Sequence, residues 1–428
     1  MSTTLIWRVM QMNRTRLNAL AKSKITANYF YYSLDYGLRI VVQLGYFAII
    51  SRSLGPAGYG IFASISAVSL LAAVFSGLGS EQVLVRRAAA DPVAFRRAFG
   101  HALICIALSI VPVSAICFLV LQFMNTGDIA WWALGLFIVG ETLFTRLTHL
   151  ANACFMAHEI ARRQVAINIL ASSIRLAAAV LAWTFSSTLT LESWAIWYFL
   201  SLGVSAAIAM AFVFRELAGP AWAFFRSDLR EGLQYALEFS SVVALRDIDK
   251  PLVVEILGAE AGGVYTAAFR VVDSACIPVR ALLLATYTRY FSHASVDASS
   301  AIAFGFRVLP YGATVAGIVG LCLFFFAWTV PLIIGSSYSG AVPLIQWFAI
   351  YPMIILLSGM GTDLLRSVGR LGPRLRITLF SLTTYLPLCW AGAILGGLVG
   401  VTIARNVSQV VLAGATWLAI LRHPKTSK

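Results

Sequence analysis

About twelve apolar windows, each close to the roughly 20 helical residues that cross a hydrocarbon layer of about 30 Å, leave this chain little choice of fold. They fall near 28–50, 61–79, 99–121, 130–152, 164–185, 193–214, 232–257, 262–287, 306–330, 341–362, 375–395 and 399–421. In lipid every backbone N–H and C=O needs an internal partner, and apolar runs of this length satisfy that rule as helices. The composition agrees: 60% hydrophobic and 12% charged residues, against about 45–50% and about 25% in soluble chains. The net charge of +14 does not imply a nucleic-acid surface, because the bases come in short clusters between apolar windows. The chain is expected to be an all-α integral membrane protein.

Those clusters also set an orientation. With the N-terminus cytoplasmic, inner segments hold Arg86, Arg87, Arg96, Arg97, Arg162, Arg163, Arg215, Arg226, Arg230, Arg289, Arg307 and Arg366, and the outer loops hold Arg52 and little else. This bias places both termini in the cytoplasm. Residues 1–27 read as a basic cytoplasmic segment without the apolar core of a signal peptide. The outer loops, such as QFMNTGD and GSSYSG, are too short to carry an enzyme domain.

An internal repeat divides the chain. LGPAGYGIFAS (Leu54 to Ser64) and LGAEAGGVYTA (Leu257 to Ala267) align Gly55 with Gly258, Gly60 with Gly263 and Phe62 with Tyr265. Each copy follows the first window of a half, and an even number of windows separates them. The halves then share one orientation and relate by an axis along the membrane normal. The expected architecture is an N-lobe at 28–214, a cytoplasmic linker at 215–231, a C-lobe at 232–421 and a cytoplasmic tail at 422–428, with a central cavity between two six-helix lobes.

Charges inside the windows call for a reason. An Asp, Lys or Arg at mid-bilayer costs about 2.5–3.5 kcal/mol on insertion scales, several times the gain from one Leu. Asn28, Tyr32, Asp35, Arg39, Gln43 and Tyr46 form a polar lane on one helix face. Glu141, Arg146 and His149, then Arg175, then Glu238, Arg246, Asp247, Asp249 and Lys250, then Arg270, Asp273 and Arg280, and finally Arg405 add to it. Some of these can be helix glue: Asp35 with Arg39 and Arg270 with Asp273 have pairing distance along a helix. Arg146 and Arg280 lie near window ends, where long side chains snorkel. Bases outnumber acids, however, and the lane implies a hydrated cavity between the lobes. RDIDKP (Arg246 to Pro251) puts four charges before a proline, which predicts a broken helix lining that cavity or, alternatively, a span end at the outer surface. A cationic cavity favours an anion, and guanidinium groups fit phosphate in particular.

Other chemistry finds no support in the residues. The six cysteines stand singly in apolar runs, and no metal or cofactor motif is present. No HExxH, GxxxxGK[ST] or Ser-His-Asp arrangement is present. The loop acids Glu81, Asp91, Glu159 and Asp297 form no pair suited to acid–base work, so the chain is read as a non-enzyme.

Leu54 to Arg87 (LGPAGYGIFASISAVSLLAAVFSGLGSEQVLVRR) resembles the polysaccharide flippases, the Wzx-type branch of the multidrug/oligosaccharidyl-lipid/polysaccharide exporter superfamily. Asp247 to Val271 is similar to their D-x-x-x-L-G-x-x-x-G-x-Y-x-x-A-x-R pattern, and VPLIIGSSYSGAVPLIQ and GLVGVTIARNVSQ also fit. The resemblance implies two six-helix lobes alternating between inward-open and outward-open states in a bacterial cytoplasmic membrane. The implied substrate is an oligosaccharide on undecaprenyl diphosphate, flipped for O-antigen, capsule or exopolysaccharide synthesis. Membrane lipids and a polysaccharide polymerase with its chain-length machinery are the implied partners, with no role for nucleic acid. By position, Arg39, Arg246 and Arg270 are the expected pyrophosphate-binding residues. Asp35, Gln43, Glu141, Glu238 and Asp249 are candidate cavity or coupling groups. The rivals are a multidrug exporter of the same superfamily, whose cavities favour cations through acids, and a membrane-embedded glycan polymerase or transferase.

The charge bias makes a direct prediction: topology reporters fused at Lys428 and after Asp128 report opposite sides of the membrane. Reporters on the same side contradict both the orientation and the parallel repeat.

Overall fold

The computed structural model describes the backbone of residues 3–124, 127, 129–186, 188–294, 297–368 and 371–422. Side chains are described from Gly37 onward, apart from Pro92, Thr288 and 371–375. Every regular element among these residues is helical. Seven helices are long and apolar enough to cross a membrane: Gly37–Phe75, Phe95–Gln122, Ala161–Phe185, Leu191–Glu216, Ala298–Ile334, Ala341–Ser367 and Arg376–Leu421. The first and last reverse at a glycine and count twice. Three more, at 131–157, 226–257 and 259–294, carry most of the charges singled out from the sequence. These make twelve spans in two lobes of six, the last beginning at the Gly397 reversal.

Both reversals follow from backbone freedom at one residue. Gly55 takes φ 66° and ψ 176°, a region closed to side chains with a Cβ, and Pro56 then occupies the first helical position. The turn brings the rings of Phe47 and Tyr59 to 5.6 Å, so the first two spans run antiparallel. No loop is needed, and the second span therefore starts at 56 and ends at Phe75, several residues earlier than the window at 61–79. Gly397, at φ 57°, makes the equivalent reversal late in the chain.

The repeat reappears in three dimensions. Gly258 takes φ 91° and ψ 166°, close to Gly55, and a helix starts directly after each. The aligned glycines then meet: a Cβ on Gly60 would strike the Ala259 carbonyl and Gly263 N, and one on Gly263 would strike the Pro56 carbonyl. The two halves thus cross backbone to backbone, which only glycine allows at such range.

The molecule has a basic end, carrying Arg86, Arg96, Arg163 and Arg226, and a far end, carrying the turns at Gly55, Gly258 and Gly397. At the far end one hydrophobic core runs through both lobes, joining Phe47, Tyr59, Phe62 and Trp194 to Tyr265, Phe269, Tyr338 and Phe348. Tyr338 Oη donates to the Ser51 carbonyl across the lobes at 2.8 Å, and Arg52 Nη2 to the Leu332 carbonyl at 3.4 Å. Toward the basic end the core divides. Phe95, Phe99, Leu150 and Phe155 pack in the N-lobe, while Val279, Tyr290, Phe304 and Leu364 pack separately in the C-lobe.

Residues 217–225, between the sixth and seventh spans, are clamped to the N-lobe. Ala221 N–H donates to the Arg96 carbonyl at 2.8 Å and Arg96 Nε to the Gly219 carbonyl at 3.1 Å. Arg87 pairs with Asp228, Arg86 pairs with Glu231 at 2.6 Å, and Gly79 and Gly232 meet with no room for a Cβ on either.

The glycine crossing yields a stability test. Gly60→Ala and Gly263→Ala press a methyl into backbone, an overpacking cost of about 1–3 kcal/mol. Gly317→Ala, with open space around it inside the helix Ala298–Phe326, gains up to about 1 kcal/mol from helix propensity. Thermal unfolding in detergent should show the first two lowered and the third unchanged or raised. Equal melting temperatures for all three contradict the crossing.

Candidate functional site

The space between the divided cores is a polar chamber built around the first span. Gln43 and Tyr46, two members of the sequence lane, face a cavity of about 350 Å³ lined also by Glu141, His149, Arg175, Asp247, Lys250 and Arg270. Arg39 and Gln43 face an adjoining cavity of about 380 Å³ lined by Arg246, Arg270, Asp273, Ser274 and Arg280. Gln43, Arg246 and Arg270 belong to both, so the two form one chamber. Asp35, Asn28 and Tyr32 lie outside the residues whose side chains are described.

Counted over the described residues, the chamber is net cationic. Six bases (Arg39, Arg175, Arg246, Lys250, Arg270, Arg280) face three acids (Glu141, Asp247, Asp273). Arg39, Arg246 and Arg270, singled out from position in sequence, do come together here. Arg175, Lys250 and Arg280 join them. Arg175 lies over the Tyr198 ring at 5.5 Å, and its Nε is buried without a hydrogen-bond partner.

One pairing expectation and two snorkelling expectations change. Asp273 does not pair with Arg270, one turn away, but with Arg246 at 3.3 Å and with Arg280. The helix Ala259–Ala275 ends just beyond Asp273, and after the turn at Cys276 Arg280 reaches back to it. Arg280 therefore lines the chamber instead of snorkelling. Arg146 does not snorkel either. It is 5% exposed and bound to Glu81 at 3.0 Å inside the N-lobe.

The charged stretch of the seventh span breaks where the sequence places it. One helix ends at Asp247 and a second starts at Asp249; Ile248 between them keeps helical angles (φ −70°, ψ −18°), and Pro251, lacking an N–H, interrupts the hydrogen-bond ladder. The break separates two kinds of charge. Asp247 and Lys250 pair with each other on the chamber wall. Asp249 turns away, fully buried, where Arg405 and Tyr265 both donate to Oδ2. Arg405 also donates to Tyr385 Oη at 3.0 Å and to the Arg246 carbonyl at 3.0 Å, and its guanidinium lies 3.6 Å from the Phe269 ring centroid. Asp249 is thus part of the C-lobe interior and not a chamber group. Glu238 is exposed on the seventh span, outside both cavities.

Glu141 occupies a different setting. It sits in a single π turn, Gly140–Thr145, that interrupts the fourth span. Tyr198 donates to its Oε1 and Thr145 to its Oε2 at 2.9 Å, with no ion pair to a base among the described residues. Its neighbours at the chamber are hydroxyls, His149 and Arg175.

An apolar recess of about 520 Å³ adjoins the chamber, sharing Leu44, Phe47 and Ser274 with it and lined further by Val271, Ile318 and Val330. The six cysteines are free, and no cluster of metal-ligating side chains occurs among the described residues.

Residues 25–287 match the family described as polysaccharide biosynthesis protein. No curated protein matches the sequence. Among solved structures, a multidrug resistance MATE family transporter of the MOP superfamily in an inward-facing conformation is similar, with TM-score 0.75 and 15% identity over 90% of this chain and 94% of that one. An outward-facing conformation of a MATE family transporter of the same superfamily gives TM-score 0.64 and 17% identity, over 92% and 94%. A MATE in the straight conformation gives 0.65 and 16%, over 94% and 95%. At these identities the likeness is one of fold: twelve helices in two lobes, as in membrane transporters.

Burial separates structural from chamber charges by experiment. Arg405→Ala leaves Asp249 buried without its cation, a loss of roughly 3–5 kcal/mol. Arg246→Ala removes a side chain that is 56% exposed, from an acid that keeps Arg280, and costs less than about 1 kcal/mol. Thermal unfolding in detergent should show a large drop for the first and little change for the second. The reverse order contradicts the assignment.

Proposed function

Because the chain belongs to the family of polysaccharide biosynthesis proteins, we propose that it is a flippase for an oligosaccharide linked to undecaprenyl diphosphate. It moves that lipid from the inner to the outer leaflet of a bacterial cytoplasmic membrane by alternating access. The observation that carries this reading is the net cationic chamber between two lobes that share one hydrophobic core at their far end. A diphosphate is the most charged part of such a lipid, and Arg39, Arg246 and Arg270 offer it planar donors from both lobes. The apolar recess beside Leu44 and Phe47 gives the isoprenoid chain a surface that needs no water. The glycan is polar and tolerates a wet chamber.

With the basic end cytoplasmic, as this reading takes it, the far-end seal corresponds to an inward-open state. The chamber binds and releases its cargo without making or breaking a bond, so the protein is a transporter and not an enzyme. Its product is the lipid-linked unit that a polysaccharide polymerase and its chain-length machinery consume. Of the three coupling candidates whose side chains are described, Glu141 has the best placement: it faces the chamber, and hydroxyls rather than a cation hold it. Asp249 is committed to Arg405, and Glu238 lies off the chamber.

Reconstituted vesicles and a fluorescent lipid-linked sugar test this. Arg39→Ala, Arg246→Ala and Arg270→Ala should each lower translocation at least about tenfold, with partial recovery by Lys, which keeps the charge but loses the fork. Glu141→Gln should still translocate but no longer respond to an imposed pH gradient. Wild-type vesicles that leave the glycan lipid in place while extruding a cationic dye contradict the flippase and favour the multidrug exporter.

A further inference from the structure

The most cationic corner of the chamber already holds an anion. Asp273, on the eighth span, is 12% exposed and accepts from Arg246 Nη2 through Oδ2 and from Arg280 Nη2 through Oδ1. Arg280 Nη1 also donates to the Asp273 carbonyl at 3.4 Å. Arg246 comes from the last residues before the break in the seventh span, so two separate helices converge on one carboxylate. Arg39 and Arg270 line the same cavity. One carboxylate with each oxygen on a different guanidinium is the contact pattern that a phosphate group makes with paired arginines.

That arrangement has a cost and a use. Several guanidinium groups facing one chamber repel each other, and an internal carboxylate holds them together when no other anion is present. An arriving phosphate presents more oxygens and more charge than a carboxylate, and it needs the same donors. The two anions therefore compete for Arg246 and Arg280.

We propose that Asp273 is a resident counter-anion occupying the substrate's phosphate site in the empty chamber, and that Arg280 joins Arg246 as a phosphate-binding residue. The identity of the incoming anion rests on the flippase reading. Loading exchanges the ion pairs of Asp273 for those of the diphosphate, and unloading restores them. A tethered competitor weakens apparent affinity by the fraction of time it holds the site. In a transporter that is useful, because cargo bound too tightly is not released.

Farnesyl diphosphate, a short lipid diphosphate, is a suitable probe for the purified full chain in detergent, with calorimetry as the readout and farnesol as the uncharged control. Asp273→Asn should bind it at least about tenfold more tightly than wild type. Arg280→Gln should bind it about tenfold more weakly, with farnesol unaffected. In vesicles, Asp273→Asn should translocate more slowly than wild type despite its tighter binding. Equal or weaker binding by Asp273→Asn overturns the proposal, because the carboxylate then only positions its arginines. If Asp273→Asn alone does not fold, the double variant Asp273→Asn/Arg280→Gln, which keeps the chamber's net charge, is compared with Arg280→Gln. Removing the competitor must again tighten binding about tenfold, and equal affinities overturn the proposal. A wild type that translocates the glycan lipid, with no tightening in Asp273→Asn, overturns this inference alone. A wild type that neither translocates nor binds the diphosphate overturns the flippase reading as well.

Discussion

Taking a charge out of water is the constraint on which this structure depends. In a bilayer an ionised side chain needs either a buried partner or a wet surface within the protein. This chain uses both, and it separates them sharply. Asp249 with Arg405, and Glu81 with Arg146, are enclosed inside one lobe each. The remaining intramembrane bases converge on the space between lobes. Pro251 interrupts the seventh span, and just before it the Asp249–Arg405 contact ties that span to the C-lobe interior. By anchoring Asp249 to the twelfth span, it leaves Asp247 and Lys250 facing the chamber on either side.

The two ends of the molecule express a second constraint, close packing. At the far end, glycines of the two repeats cross backbone to backbone and one core runs through both lobes. At the basic end each lobe keeps a core of its own. The proposed alternating access requires lobes that part at one end and stay packed at the other. A crossing of small residues suits the pivot, since few side chains need to disengage there. The clamped segment 217–225 holds the start of the seventh span to the N-lobe, while the other half of that span belongs to the C-lobe through Asp249. The interruption at Ile248 therefore lies between the part of the span held to the N-lobe and the part held to the C-lobe.

Much of this was legible in the sequence, for reasons that differ by feature. The spans were readable because apolar length is a local property. The repeat was readable because a positive φ at Gly55 and Gly258 admits little else, and the backbone there repeats closely. The lane through Arg39, Gln43 and Tyr46 was readable because helical spacing puts the three on one face. The second span was misplaced by several residues because a single glycine reverses the chain where a loop was expected. What sequence spacing could not give was contact between distant elements. Arg405 lies 156 positions from Asp249, and nothing local marks the two as partners. Asp273 looked like the mate of Arg270, but the turn at Cys276 delivers Arg280 to it instead. Arg175, a lone base in an apolar run, was noticed as a charge but gave no sign of its direction.

The central claim is that the chamber between the lobes receives the phosphate groups of a lipid-linked glycan. The most direct measurement is an electron cryomicroscopy structure of the protein in lipid nanodiscs loaded with an undecaprenyl-diphosphate-linked sugar. The account predicts diphosphate density within hydrogen-bond reach of Arg246, Arg270 and Arg39, with the isoprenoid chain leaving through the recess beside Leu44 and Phe47. Density for the diphosphate elsewhere, with these arginines still paired only to protein carboxylates, would contradict it.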